Sequence, residues 1–268
     1  MHSRAAVHRF ENCLRSGSAL AAEDCAARQG PTPKVRSIQT DPLLSWNMPR
    51  RGKFITFEGL DGCGKSTQIQ KLATALRARN LPVTLTREPG GTLTGEKIRN
   101  LLLDTGTRGL VPHAELSLMF AARTQHIEEI IRPALAQGHV VLCDRFTDST
   151  EAYQGGGRQL GSKLILELHR ILCGDLQPDL TILMDSDVAA SIERARRRNN
   201  LRSEKGASGD PDENRFERES RAFFERVRNA YLAIAAREPQ RVVVVNARGT
   251  PQETQDQILA IVRPDKLV

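Results

Sequence analysis

No apolar run in this chain approaches the roughly 20 residues needed to span a bilayer, so neither a membrane-spanning helix nor a membrane partner is expected. Cysteine is sparse: Cys13, Cys25, Cys63, Cys143 and Cys173 are odd in number and scattered, without a C-x-x-C pair. That pattern argues against a disulfide framework and a structural zinc site, and fits a reducing cytoplasm. Aromatic residues make up only 4% of the chain, and the arginines cluster near short motifs rather than in one long stripe. The formal net charge of +7 therefore points to small polyanions such as nucleotides, not to a nucleic-acid partner. No internal repeat is visible. With 268 residues, 39% of them hydrophobic, the chain can bury one substantial core in one large domain.

Residues 1–47 differ from the rest of the chain. They show no sustained periodicity, contain Gly30, Pro31 and Pro33, and carry Arg4, Arg9, Arg15, Arg28, Lys34 and Arg36. An arginine-rich transit peptide is one explanation, but Glu11, Glu23, Asp24 and Asp41 argue against it, and a secretory signal needs a longer apolar core. Met48 opens a short basic lead, Met48-Pro49-Arg50-Arg51-Gly52-Lys53, into the first apolar run. Residues 1–47 are thus expected to be a disordered tail or a non-native leader from an upstream start, and residues 48–268 the folded domain.

The most specific local signal is Gly59-Leu60-Asp61-Gly62-Cys63-Gly64-Lys65-Ser66, followed by Thr67, which fits G-x-x-x-x-G-K-S/T without a gap. It succeeds the apolar run Phe54-Ile55-Thr56-Phe57 and opens a helical run from Lys65 to Arg79. Such a loop turns successive backbone N–H groups and a helix N-terminus toward a β-phosphate, while the lysine reaches the β/γ oxygens and the Ser66 hydroxyl ligates Mg²⁺. A nucleoside triphosphate is the expected ligand, cradled by residues 59–67. The loop alone leaves open whether the phosphate is transferred, hydrolysed or sensed. Asp61 either orders an acceptor group through water or metal, or only shapes the turn. Cys63 either lies in a positive field that favours thiol modification, or faces inward as a small apolar residue.

From Phe54 onward, short β-branched runs alternate with longer helical ones. Strands are expected at Phe54 to Phe57, Val83 to Thr86, Val140 to Cys143, Leu180 to Met184 and Val242 to Val245. Their near-continuous apolar character implies burial on both faces, hence an α/β architecture with a five-stranded parallel sheet flanked by helices. Ligands of such sheets gather at the carboxyl ends of the strands, where Glu58, Arg87-Glu88, Asp144-Arg145 and Asp185 fall. A helix is expected from about Val188 to Arg198, rich in arginine. The polar stretch Asn199 to Asn214 then reads as part of a mobile lid, about residues 194–215, and a periodic segment from Phe216 to Ala236 as a helix packed on the sheet.

Asp144 either holds the magnesium, directly or through a water, or serves as a turn or N-cap residue. Its neighbour Arg145 weights the first. Transfer of a phosphoryl group onto another phosphate brings two polyanions together and requires cations that neutralise donor and acceptor. Arg87, Arg145 and the lid residues Arg194, Arg196 and Arg198 offer them, each with the alternative of a solvated surface group paired to a neighbouring carboxylate.

With these motifs stand Phe57-Glu58 before the glycine-rich loop, Arg87-Glu88-Pro89-Gly90-Gly91-Thr92, Phe120-Ala121-Ala122-Arg123, Asp144-Arg145-Phe146, Ala152-Tyr153-Gln154-Gly155-Gly156-Gly157-Arg158 and Gly174-Asp175-Leu176-Gln177-Pro178-Asp179. In this order and spacing, from about Lys53 to Val262, the chain resembles the bacterial thymidylate kinases. The resemblance implies a P-loop nucleoside monophosphate kinase fold and a homodimer. It also implies ATP- and Mg²⁺-dependent phosphorylation of dTMP to dTDP, a step toward dTTP for DNA synthesis. Lys65, Asp61, Arg145 and the lid arginines Arg194, Arg196 and Arg198 would be catalytic, and Ser66 and Asp144 would hold the metal. Phe120 would stack on thymine and Arg123 would donate to a base carbonyl; by themselves these two residues read more readily as core packing and a surface ion pair. Ser149, Tyr153 and Gln154 would lie near sugar and base, and Arg87 and Arg99 would hold the acceptor phosphate beside Arg145. A kinase for another nucleoside monophosphate and a non-catalytic nucleotide-binding switch are the rival functions.

Overall fold

In the computed structural model, five short strands, Phe54–Glu58 (β1), Val83–Arg87 (β2), Val140–Asp144 (β3), Leu180–Asp185 (β4) and Val242–Asn246 (β5), form one parallel sheet in the order β2-β3-β1-β4-β5. The structure describes residues 51–263 except 105, 108, 175, 205–214, 217 and 218, and the backbone alone of 199–204. The leader expected at 1–47 and residues 205–214 of the expected lid lie outside the described residues. Among the described residues no helix is long and apolar enough to cross a membrane.

All of β1 is buried, as is β3 from Val140 to Cys143, whereas the edge strand β2 is half-covered and β5 leaves Val244 exposed. The apolar runs are continuous where helices cover both faces of a strand. Each strand extends one residue beyond its expected run, taking in Glu58, Arg87, Asp144, Asp185 and Asn246. Those polar ends stand side by side at one rim of the sheet; Phe57 is in register with Asp144, and Asp144 with Arg87.

On one face, helix α1 (Lys65–Arg77) buries Ile69, Leu72 and Leu76 against Ile55, Phe57, Ile182 and the C-terminal helix Pro251–Val262. The other face is covered by α3 (Pro112–His126), which follows α2 (Leu93–Leu103) and continues through a π-helical stretch, Ile127–Ile131, into α4 (Arg132–Ala136). There Phe54, Phe120, Ile131 and Phe146 form the core, with Phe54 and Phe146 edge to face at 5.0 Å. After β3 come α5 (Thr147–Thr150), a π-helical segment Glu151–Gly157, and α6 (Ser162–Cys173).

Two helix boundaries differ from expectation by more than two residues. Helix α7 (Val188–Glu204) continues past Arg198, so arginine-rich sequence without apolar periodicity is helical for longer than its pattern suggests. Helix α8 (Arg221–Arg237) starts later than Phe216, because Ser220 caps it with its hydroxyl accepting from Phe223 N at 3.2 Å. Phe216 is thereby released from the helix and lines the cleft instead.

Candidate active site

A cleft of about 540 Å³ opens at the carboxyl rim of the sheet, lined by the glycine-rich loop, the ends of β2 and β3, α3, α7 and Phe216. In the loop, Gly62 takes φ 79°, and a Cβ there would meet the Ser191 carbonyl oxygen at 2.3 Å, so α7 packs directly on the loop backbone. Lys65 Nζ donates to the carbonyls of Gly59 (3.1 Å) and Leu60 (3.0 Å), and Lys65, Ser66 and Thr67 line the cleft. The Cys63 side chain is buried in the core beneath the loop, as the inward-facing alternative has it, with its sulfur 3.9 Å from Lys65 Nζ. Ser66 Oγ donates to Asp144 Oδ2 at 3.1 Å, joining the loop to β3. Asp144 Oδ1 is buried without a protein partner.

Arg145 follows Asp144 with φ 71°, a left-handed conformation that costs free energy in a non-glycine residue and persists only where the surroundings hold it. Four hydrogen bonds do so: Nη1 to Ser149 Oγ (2.9 Å) and Tyr231 OH (3.2 Å), Nη2 to Asp61 Oδ1 (2.8 Å) and Tyr153 OH (3.3 Å). Burial works against ionisation of Asp61, but the charges of Arg145, Lys65 and Arg198 outweigh it and hold the carboxyl well below its usual range. Asp61 thus does more than shape a turn.

Under Arg145 lies a residue to which the sequence assigned no role. Glu58 at the end of β1 is fully buried; its Oε1 accepts from Phe146 N at 2.7 Å, and its Oε2 accepts from the Ser149 and Tyr231 hydroxyls. Burial, reinforced by Asp148, raises the carboxyl from 4.5 to about 7 despite the Ser149 hydrogen bond and the Arg145 charge. The folded value exceeds the unfolded one, so folding favours the protonated form. That contribution is complete below about pH 4.5 and is lost as the pH rises through about 7. Relative to Glu58→Gln, whose amide mimics the protonated acid, the parent should lose on the order of 1–3 kcal/mol between about pH 5 and about pH 8 in urea unfolding. A difference independent of pH would refute this.

Arg87 and Arg99 both line the cleft. Arg87 pairs with Glu96 at 3.0 Å while 54% exposed, so releasing it to an incoming phosphate costs about 1 kcal/mol or less. Arg99 Nη1 donates to the Pro89 carbonyl at 3.0 Å. Gln154 lines the cleft with its amide held by Glu115 Oε1 at 2.8 Å, and Glu115 also pairs with Arg158 and Arg215.

Arg123 is only 2% exposed yet reaches the cleft. Its Nε donates to Glu88 Oε2 at 2.7 Å, and its Nη2 donates to Thr150 Oγ1 (2.8 Å) and the Phe146 carbonyl (3.2 Å). Nη1 is buried with no protein partner. Phe120 corrects the expectation made for it. Its three-residue spacing does place it on the same helical face as Arg123, with the guanidinium carbon 5.0 Å from the ring centroid. That face, however, turns to the sheet: the ring is core, 1% exposed, and does not line the cleft. The longer arginine passes over it to the cleft, whose apolar wall comes instead from Met119, Leu103, Phe146 and Phe216. The arginines expected in a lid also divide: Arg194 and Arg198 line the cleft, with Arg194 Nε donating to the Gly62 carbonyl at 2.8 Å, whereas Arg196 does not line it.

A family model for thymidylate kinase matches residues 57–258. A thymidylate kinase from Pelobacter propionicus is 47% identical over 216 residues, covering 81% of this chain and 96% of its own. One from Geobacter sulfurreducens is 50% identical over 203 residues, covering 76% and 92% respectively. Among solved structures, thymidylate kinase from Ehrlichia chaffeensis matches with a TM-score of 0.61 at 35% identity, covering 80% of this chain and 99% of that one. The parallel sheet and its glycine-rich loop are accordingly those of a P-loop nucleoside monophosphate kinase, and the chain belongs to the thymidylate kinase family.

Proposed function

We infer that the chain transfers the γ-phosphoryl group of ATP to dTMP, giving dTDP and ADP for dTTP synthesis. One cleft runs unbroken from Lys65 and Ser66 to Arg123, and that continuity joins a triphosphate cradle to a pocket for a second nucleotide. Loop N–H groups and Lys65 hold the β/γ-phosphates. Arg145 lines the cleft and offers its charge to the transferred group, and Asp61 and Tyr153 keep its guanidinium aimed. Burial raises the Tyr153 phenol, so it remains a neutral donor. Arg87 and Arg99 receive the acceptor phosphate; Met119 and Phe146 offer apolar surface to the base, and Arg123 Nη1 donates to its carbonyl.

Ser66 and Asp144 suit Mg²⁺: both are hard oxygen donors, and Asp144 Oδ1 has no protein partner. Bound there, the ion would neutralise the donor phosphates. No group of three or more His, Cys, Asp or Glu suited to a metal occurs among the described residues, which agrees with a cation held mainly by substrate phosphates and water. We further assign the chain to the cytoplasm, in keeping with the buried free thiols of Cys63, Cys143 and Cys173, and to a homodimer, in keeping with exposed Leu166, Ile171 and Leu172 on α6.

The test is acceptor-dependent ADP release with ATP, Mg²⁺ and, in turn, dTMP, dCMP, UMP, AMP and GMP. dTMP should give the highest kcat/KM by a wide margin. Arg123→Ala should raise KM for dTMP about 10-fold or more and narrow its preference over dCMP, which has an amino group at the edge where thymine has a carbonyl. No acceptor-dependent release would sink the kinase reading, and equal loss with every acceptor would remove Arg123 from base recognition.

A further inference from the structure

Glu88 is buried at the end of β2 and divides its two oxygens between two residues of α3. Oε2 accepts from Arg123 Nε at 2.7 Å, and Oε1 faces His126 Nδ1 at 2.9 Å. The second imidazole nitrogen, Nε2, meets the Thr86 hydroxyl. Arg123 and His126 are one helical turn apart and share a face, so a single carboxylate clips that face to β2. Gly91 closes the cluster from the loop after β2, where a Cβ would lie 2.7 Å from the imidazole Cδ2 and Nε2. The loop beside this clip also presents the acceptor-phosphate arginines: Arg87 precedes Glu88, and the Pro89 carbonyl holds Arg99.

A guanidinium on a flexible stem has many orientations, and the clip removes them. Nε is tied to Glu88 and Nη2 to the Phe146 carbonyl and Thr150, which fixes the plane and leaves Nη1 as the one nitrogen without a protein partner. His126 in turn keeps the Glu88 carboxylate from rotating away. We propose that Glu88 and His126 are positioning residues that determine selectivity for the acceptor base by presenting Arg123 Nη1 to it, in fixed register with the arginines that hold the acceptor phosphate. This rests on Arg123 reading the base, as inferred for the kinase reaction. The charge state agrees: burial opposes ionisation of Glu88, but Arg123 and His126 more than offset it and hold the carboxyl below its usual value. It therefore stands as an anion between the two.

The experiment measures kcat and KM of the full chain for dTMP, dCMP and ATP in the parent, Arg123→Ala, Glu88→Gln, His126→Ala, His126→Asn and Thr86→Val. Glu88→Gln should raise KM for dTMP about 10-fold, change kcat by less than about threefold, and narrow the dTMP over dCMP ratio of kcat/KM about 10-fold, with KM for ATP unmoved. His126→Ala should shift the ratio the same way by about threefold, and His126→Asn, which keeps a donor near the Nδ1 position, should restore most of it. If Glu88→Gln does not fold, His126→Ala and Thr86→Val decide by the same ratio. Equal loss with dTMP and dCMP in these variants, while Arg123→Ala narrows the ratio, would overturn the proposal and leave base recognition by Arg123 intact. An unchanged ratio in Arg123→Ala would overturn base recognition by Arg123 itself, and the proposal with it.

Discussion

Arg145→Lys should lower kcat for dTMP phosphorylation by about 10³-fold. The arginine makes four hydrogen bonds through two nitrogens, to Ser149, Tyr231, Asp61 and Tyr153, in a backbone conformation that exists for the sake of that placement. An ammonium is a point charge on a flexible stem and cannot reproduce a planar fork. It would satisfy Asp61 or the hydroxyl pair, not both, and would no longer project fixed N–H groups at the transferred phosphoryl group. The Asp61 carboxylate, 34% exposed, would also lose part of its compensation, so stability should fall by about 1 kcal/mol. Steady-state kinetics with saturating ATP, paired with urea unfolding, separate the two effects. A variant that loses stability but keeps kcat within about 10-fold of the parent would make Arg145 a structural residue rather than a catalytic one.

The second large effect divides the arginines of α7. Arg194→Ala and Arg198→Ala should each lower kcat by about 10² or more, with smaller changes in KM for ATP, whereas Arg196→Ala should stay within about threefold of the parent. Residues four apart on a helix share a face and residues two apart do not. Arg194 and Arg198 line the cleft; the first reaches the loop at the Gly62 carbonyl, and the charge of the second bears on Asp61. Arg196 does not line the cleft. Should all three variants chiefly raise KM for ATP, these arginines clamp the ground state instead of stabilising the transition state.

Arg196 shows what a one-dimensional reading leaves out. The sequence offers three arginines at alternate positions as equivalent candidates; only the orientation of α7 against the glycine-rich loop tells two from the third. Phe120 shows the same limit from the opposite direction. Its spacing to Arg123 was legible and correct, yet spacing shows which residues share a face and not where that face points. Packing of α3 on Phe54, Ile131 and Phe146 turned the ring inward, while the greater reach of arginine carried its guanidinium past the ring. Met119 has no motif to announce it, and Phe216 was hidden within a periodic segment until the Ser220 cap placed it outside the helix.

What the sequence determined by itself is whatever depends on neighbours in the chain. The phosphate loop is one contiguous backbone conformation between a strand and a helix, so eight residues carry its signature; the central strands β1 and β3 announce themselves because burial on both faces demands apolar runs. The tertiary structure alone decided the groups that aim the chemistry. Glu58 meets Ser149 across 91 positions, Arg145 meets Asp61 across 84, and Glu88 meets Arg123 across 35. Each contact is a buried or half-buried polar group satisfied by a partner distant in the chain, and such pairings follow from how the sheet and helices close on one another, which no local pattern encodes.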